Sequence, residues 1–200
     1  MIRAETFHTL LLMLYATGAR LGEVVGLRSG DVNFKTGMLS IKGAGLKAGR
    51  VIPLNRELLE QLQSYLNWRA REDIGGEHLF TNENGGPIST STARHNFNRL
   101  CRVSEINLRY GAPARPRLHD LRQTFAVHRI TSWIRDGADL NRLLPALAAY
   151  MGQVGLGSTD KYLLLTPERF RNFEASRTVC SRLCICTVLP PRNSPILDSV

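Results

Sequence analysis

The sequence predicts a mainly α-helical domain with one small antiparallel β-sheet or hairpin, an α+β fold. Three observations lead there. Apolar residues return at three- and four-residue spacing through most of the chain, as on the buried face of an amphipathic helix. Between Asp31 and Leu54 that rhythm gives way to short apolar runs separated by glycine-rich turns. The composition, 43% hydrophobic and 22% charged over 200 residues, suits a chain that buries a core and argues against disorder of the whole.

Phe7, Leu10, Leu11 and Leu14 share one helical face, and Gly18 is placed to stop that helix. A second short helix is expected from Arg20 to Leu27. Val32-Asn33-Phe34, Leu39-Ser40-Ile41 and Val51-Ile52-Pro53-Leu54 read as strands, with Gly43 to Gly49 as the tip of a hairpin. The helical period returns from Arg56 to Arg71, where Leu58, Leu62, Tyr65 and Leu66 line one face. Gly75-Gly76 and Asn84-Gly85-Gly86-Pro87 bracket a loop around His78-Leu79-Phe80. Helices follow over about Thr90 to Asn107, Leu118 to Arg135 and Asn141 to Tyr150, with a proline-broken connector at Gly111 to Pro116. After Glu174 the periodicity fades, so the expected division is one domain over 1–174 and an irregular or disordered tail over 175–200.

The net charge of +9 and pI near 9.9 are unevenly spread. Arg109, Arg115, Arg117, Arg122, Arg129 and Arg135 have only Asp120 as acidic company. The guanidinium is a planar fork that matches phosphate oxygens, so this excess fits a nucleic-acid partner. Cys101 stands alone and Cys180, Cys184 and Cys186 cluster with no histidine after them, which suits neither a disulfide framework nor a zinc site. The longest apolar run, Leu10 to Ala16, is too short to span a bilayer, and the N-terminus carries no cleavage signature. A cytoplasmic, reduced protein without membrane attachment is expected.

Four residues carry the chemistry. Arg20 lies in Thr17-Gly18-Ala19-Arg20-Leu21-Gly22-Glu23, where it opens a helix whose N-terminus would add its field to that of the guanidinium. His119 and Arg122 are three apart and share a helical face, able to offer a proton-transfer group and a cation to one phosphate. Leu121 and Phe125 are expected to anchor the opposite side of that helix. Tyr162 follows the glycine-rich stretch at Gly152, Gly155 and Gly157, and nearby arginines would favour its phenolate. Tyr150 and Tyr110 compete with it, but neither follows such a turn. Two cations, a histidine and a tyrosine suffice for phosphoryl transfer without a metal.

In this order, Arg20, His119-x-x-Arg122 and Tyr162 resemble the catalytic domain of the tyrosine recombinase (phage integrase) family, over about residues 5 to 172. The hairpin, Gly137 to Leu140 and Leu147 to Gly152 fit the same pattern. The resemblance implies cleavage of one strand of double-stranded DNA by the tyrosine, a 3′-phosphotyrosyl link and a free 5′-hydroxyl, with no cofactor or metal. It implies a phosphate-binding histidine nine residues before the tyrosine; here that position is Gln153, which donates a hydrogen bond but carries no charge. Impaired chemistry is therefore expected. It also implies a general-acid lysine on the hairpin, eight residues before the strand-closing proline. Counting back from Pro53 reaches Gly45, flanked by Lys47 at the tip and Lys42 on the strand. Lys47 is preferred for its exposed turn.

Family members commonly carry an N-terminal clamp domain and a C-terminal segment that docks into a neighbouring protomer. The expectation here is a domain without the clamp, and a homo-oligomer on DNA. The competing reading is a catalytically inactive DNA-binding remnant. A helix-turn-helix regulator would leave His119 and Tyr162 without purpose.

Overall fold

The computed structural model describes residues 2–43, 49–106 and 116–153. Helix α1 (Ala4–Thr17) is the spine, with Leu10 to Tyr15 all buried. Helices α3 (Arg56–Arg71) and α5 (Leu118–Arg135) pack against it, and α2 (Leu21–Val25) follows it directly. A helix buried on nearly every side must satisfy its polar groups internally. The hydroxyls of Thr9 and Thr17 accordingly donate to the carbonyls of Glu5 and Met13, and Tyr65 donates to Thr6.

Gly18 ends α1 in the left-handed region, at φ 59°. A Cβ there would lie 2.5 Å from Cδ1 of Phe125 on α5, so the turn also sets how closely the two elements meet. Gly18→Ala is expected to destabilise the fold by about 2–4 kcal/mol, from the strained φ and the displaced ring together. A fall in the urea midpoint at constant slope is the measurement that checks it.

The sheet has the order β1 (Val32–Asn33), β2 (Met38–Ile41), β3 (Arg50–Pro53), all antiparallel. Leu39 pairs with Ile52 and Ile41 with Arg50. Alternation sends Val32, Leu39, Ile41 and Ile52 into the core and leaves Met38 and Val51 exposed. Asn55 and Ser89 cap α3 and α4 (Thr90–Val103) through their side-chain oxygens, and Asp139 caps α6 (Leu140–Tyr150). Between α3 and α4 the loop is tied from within: buried Arg69 donates to the carbonyls of Gly75, His78 and Leu79.

Helix α4 stops short of the expected Asn107. Glu105 takes φ 52°, and the Glu105 and Ile106 amides donate to the Arg102 and Cys101 carbonyls, a Schellman ending built on a residue other than glycine. The expected tail over 175–200 and most of the connector at 111–116 lie outside the described residues. Among the described residues no helix is long and apolar enough to cross a membrane.

Candidate active site

Arg20 follows the Gly18 turn as the N-cap of α2. The expected helix-end field is already answered there, because the Glu23 carboxylate accepts the Arg20 backbone N–H at 2.8 Å. The same carboxylate accepts from the Arg20 guanidinium at 2.9 Å and from both Arg50 terminal nitrogens, each at 2.9 Å. Burial would push the Glu23 carboxyl up, but the bonds from Arg50 and from the Arg20 amide more than offset it and hold the group at about 2. A depressed carboxylate contributes stability above its unfolded value, and that contribution is lost as pH falls towards the folded one. Glu23→Gln is therefore expected to lower stability at neutral pH and to flatten the loss between about pH 4.3 and pH 2, as read from urea midpoints across that range.

Arg122 is only 4% exposed and donates to the carbonyls of Gly18 and, at 2.8 Å, Met151. Phe125, three residues on, is buried on the same side of α5 with Ala126, so the apolar anchor is not opposite the arginine. Positions 122, 125 and 126 are neighbours on a helix surface, and the buried stripe includes all three.

The end of α6 explains why arginines gather here. Its Schellman turn, with Gly152 at φ 64°, pairs the amides of Gly152 and Gln153 with the carbonyls of Ala149 and Ala148. The next three carbonyls in the chain each receive one guanidinium. Arg50 Nε donates to Tyr150 at 2.8 Å, Arg122 to Met151 at 2.8 Å and Arg20 to Gly152 at 2.6 Å. These cations meet the negative end of the helix dipole, with one carboxylate, Glu23, among three guanidinium groups.

Arg20, His119 and Arg122 line a single cleft of about 380 Å³. His119 is exposed at the start of α5. Its partial burial first, then the charge of Arg122, hold it below the ordinary histidine value, which favours the neutral imidazole. Arg94 and Asn98, four apart on α4, and Arg117 also line the cleft. Sequence reasoning missed Arg94 and Asn98, although a helix without a single acid, buried through Ala93, Phe97 and Cys101, was the available signal. It also missed Arg50, whose partners lie 27 and 100 positions away and leave no local pattern.

Lys42 is ion-paired with Asp31 at 3.2 Å and does not line the cleft. Gln153 closes the Schellman turn through its amide and adjoins the carbonyl that Arg20 holds. Lys47 and Tyr162 lie outside the described residues, as does Tyr110. Tyr150 is stacked on Phe125, and burial pushes its phenol up to about 12, so this tyrosine is poorly suited to ionise as a nucleophile.

This helical frame, apart from its cleft, is one that known proteins share. The family model described as phage integrase family matches residues 3–168. A putative integrase/recombinase, y4rB, of Sinorhizobium fredii is 32% identical over 84% of this chain and 54% of its own length. Tyrosine recombinase XerD of Halalkalibacterium halodurans is 31% identical over 83% of this chain and 52% of its own. In fold the chain resembles the crystal structure of XerA recombinase, with a TM-score of 0.63 and 22% identity over 90% of this chain and 58% of that one. The chain belongs to the phage integrase family, the tyrosine recombinases. It spans about half the length of the curated relatives it matches.

Proposed function

We propose that residues 1–174 form the catalytic domain of a metal-independent DNA strand transferase acting in site-specific recombination or integration. The observation that carries the reading is the meeting of Arg20, Arg122 and His119 in one cleft, from positions about a hundred residues apart in the chain. Arg20 and Arg122 would hold the non-bridging oxygens of the scissile phosphate, and Gln153 would donate one neutral hydrogen bond. Tyr162 attacks phosphorus as His119 takes the phenolic proton. The tyrosyl O–P bond forms, the bond from phosphorus to the 5′-oxygen breaks, and Lys47 or Lys42 protonates the leaving oxygen. Rejoining is the reverse, with the 5′-hydroxyl of another strand as nucleophile, so the phosphodiester energy is retained in the tyrosyl link. The partner is double-stranded DNA, and exchange between two duplexes calls for more than one copy of the chain.

A neutral Gln153 should cost less than the roughly 10²–10³ in rate that loss of one preorganised donor brings. It is also the observation that favours the second reading, an inert DNA-binding remnant. Incubation with a duplex nicked close to the cleavage point separates the two. The departing fragment cannot religate, so a transferase accumulates a denaturant-resistant adduct. Salt-sensitive binding with no adduct at any time would leave only the remnant.

A further inference from the structure

We propose that Arg50 is a positioning residue of the strand-transfer site, holding Arg20 through Glu23 and fixing the turn by which the chain enters Gln153. Its catalytic consequence rests on the function proposed above; its structural role does not.

Arg50 differs from the other two arginines at the end of α6. Arg20 and Arg122 line the cleft, whereas Arg50 does not, and its side chain is 16% exposed. Both its terminal nitrogens bind Glu23 and its Nε binds the Tyr150 carbonyl. A fork engaged in this way fixes the plane of the carboxylate as well as its position. Glu23 then has one defined place from which to accept both the amide and the guanidinium of Arg20.

The second contact is with the turn itself. A Cβ on Gly152 would lie 2.7 Å from Arg50 Nη1 and 2.9 Å from Cζ, so the guanidinium rests against the Gly152 backbone. The third is the hairpin: Arg50 opens β3 and pairs with Ile41, at the base of the segment that carries Lys47. One side chain therefore ties together the partner of Arg20, the turn before Gln153 and the hairpin base. Each of these holds a group assigned to the phosphate or the leaving oxygen. Displacement of such groups by about 1 Å is enough to lower a rate about 10²-fold.

The test uses the full chain as wild type, Arg50→Ala and Arg50→Lys. Amide hydrogen exchange is followed at Gly152 and Gln153, with the amides of α3 as internal reference. Exchange at those two amides should quicken in Arg50→Ala at least about tenfold more than exchange in α3, because charge-assisted bonds at the turn are lost locally on top of any fall in global stability. Lysine keeps the charge but not the fork, so Arg50→Lys should also quicken the pair, by a smaller factor. On the nicked duplex, adduct formation by Arg50→Ala should slow about 10²-fold with the DNA dissociation constant changed less than about twofold. Unchanged exchange at Gly152 and Gln153 overturns the proposal, as does acceleration of α3 by the same factor, and so does weaker DNA binding with an unaltered adduct rate. If Arg50→Ala fails to fold, Arg50→Lys decides on the same readouts. If the wild type forms no adduct, the strand-transfer reading fails, while exchange still decides whether Arg50 holds the turn.

Discussion

Tyr162→Phe is expected to abolish the denaturant-resistant adduct on a nicked duplex, while Tyr150→Phe leaves it intact. The adduct is a bond between a phenolic oxygen and phosphorus, so removing that oxygen removes the product itself and not only its rate of formation. The contrast with Tyr150 makes the experiment discriminating. That ring is stacked at 5.8 Å on Phe125, its hydroxyl is 3.4 Å from the Pro53 carbonyl, and burial holds its phenol at about 12. Deleting so long a hydrogen bond should cost less than about 1 kcal/mol and leave the Arg20–His119–Arg122 cleft undisturbed. Gel electrophoresis of the denatured reaction reads both variants. An adduct that persists in Tyr162→Phe would move the nucleophile elsewhere, and one lost in Tyr150→Phe would return Tyr150 to consideration.

Arg122→Ala is expected to reduce both strand cleavage and stability, the first about 10²–10³-fold and the second by about 2–4 kcal/mol. The two effects have separate origins. For cleavage, the variant loses the cation proposed above to hold the phosphate oxygens. For stability, it leaves the carbonyls of Gly18 and Met151 without their donor, at a site where Arg122 is 4% exposed. It also opens a void beside Phe125, on the face that joins α5 to α1 and α6. Against a domain stability of about 5–15 kcal/mol the variant should still fold, so adduct rates can be compared well below its melting temperature. Arg122→Lys separates the terms further. A single ammonium cannot reach two carbonyls and a phosphate at once, so charge is retained while cleavage stays low.

Most of the element order was legible in the sequence because it depends on local periodicity. The apolar spacing and flanking polar residues of 56–71 and 118–135 place α3 and α5 to the residue. Gly18 ends α1 as its position predicts, since a left-handed turn is cheapest at glycine. Where the reading slipped, the deciding contact left no signal in the pattern of residue types. Helix α4 ends at Val103 because Ser104 to Ile106 close a Schellman turn on Glu105, a residue without the glycine signal. Arg122 and Phe125 share the inward face because α1 and the end of α6 supply carbonyls for the guanidinium, which a helical wheel of α5 does not contain.

The site divides in the same way. By itself the sequence determined a helical domain with a small antiparallel sheet, its excess of arginine and the ordered motifs of a known family. These follow from which side chains repeat at helical and strand spacing, and from residue types whose chemistry is intrinsic. Only the tertiary structure decided that Arg20, Arg50 and Arg122 would divide the three carbonyls at the end of α6 among them, and that Glu23 would bind two of them. Those partners are separated by up to 132 positions. Contacts at that distance arise from the packing of helices, and packing leaves no period in the chain from which to read them.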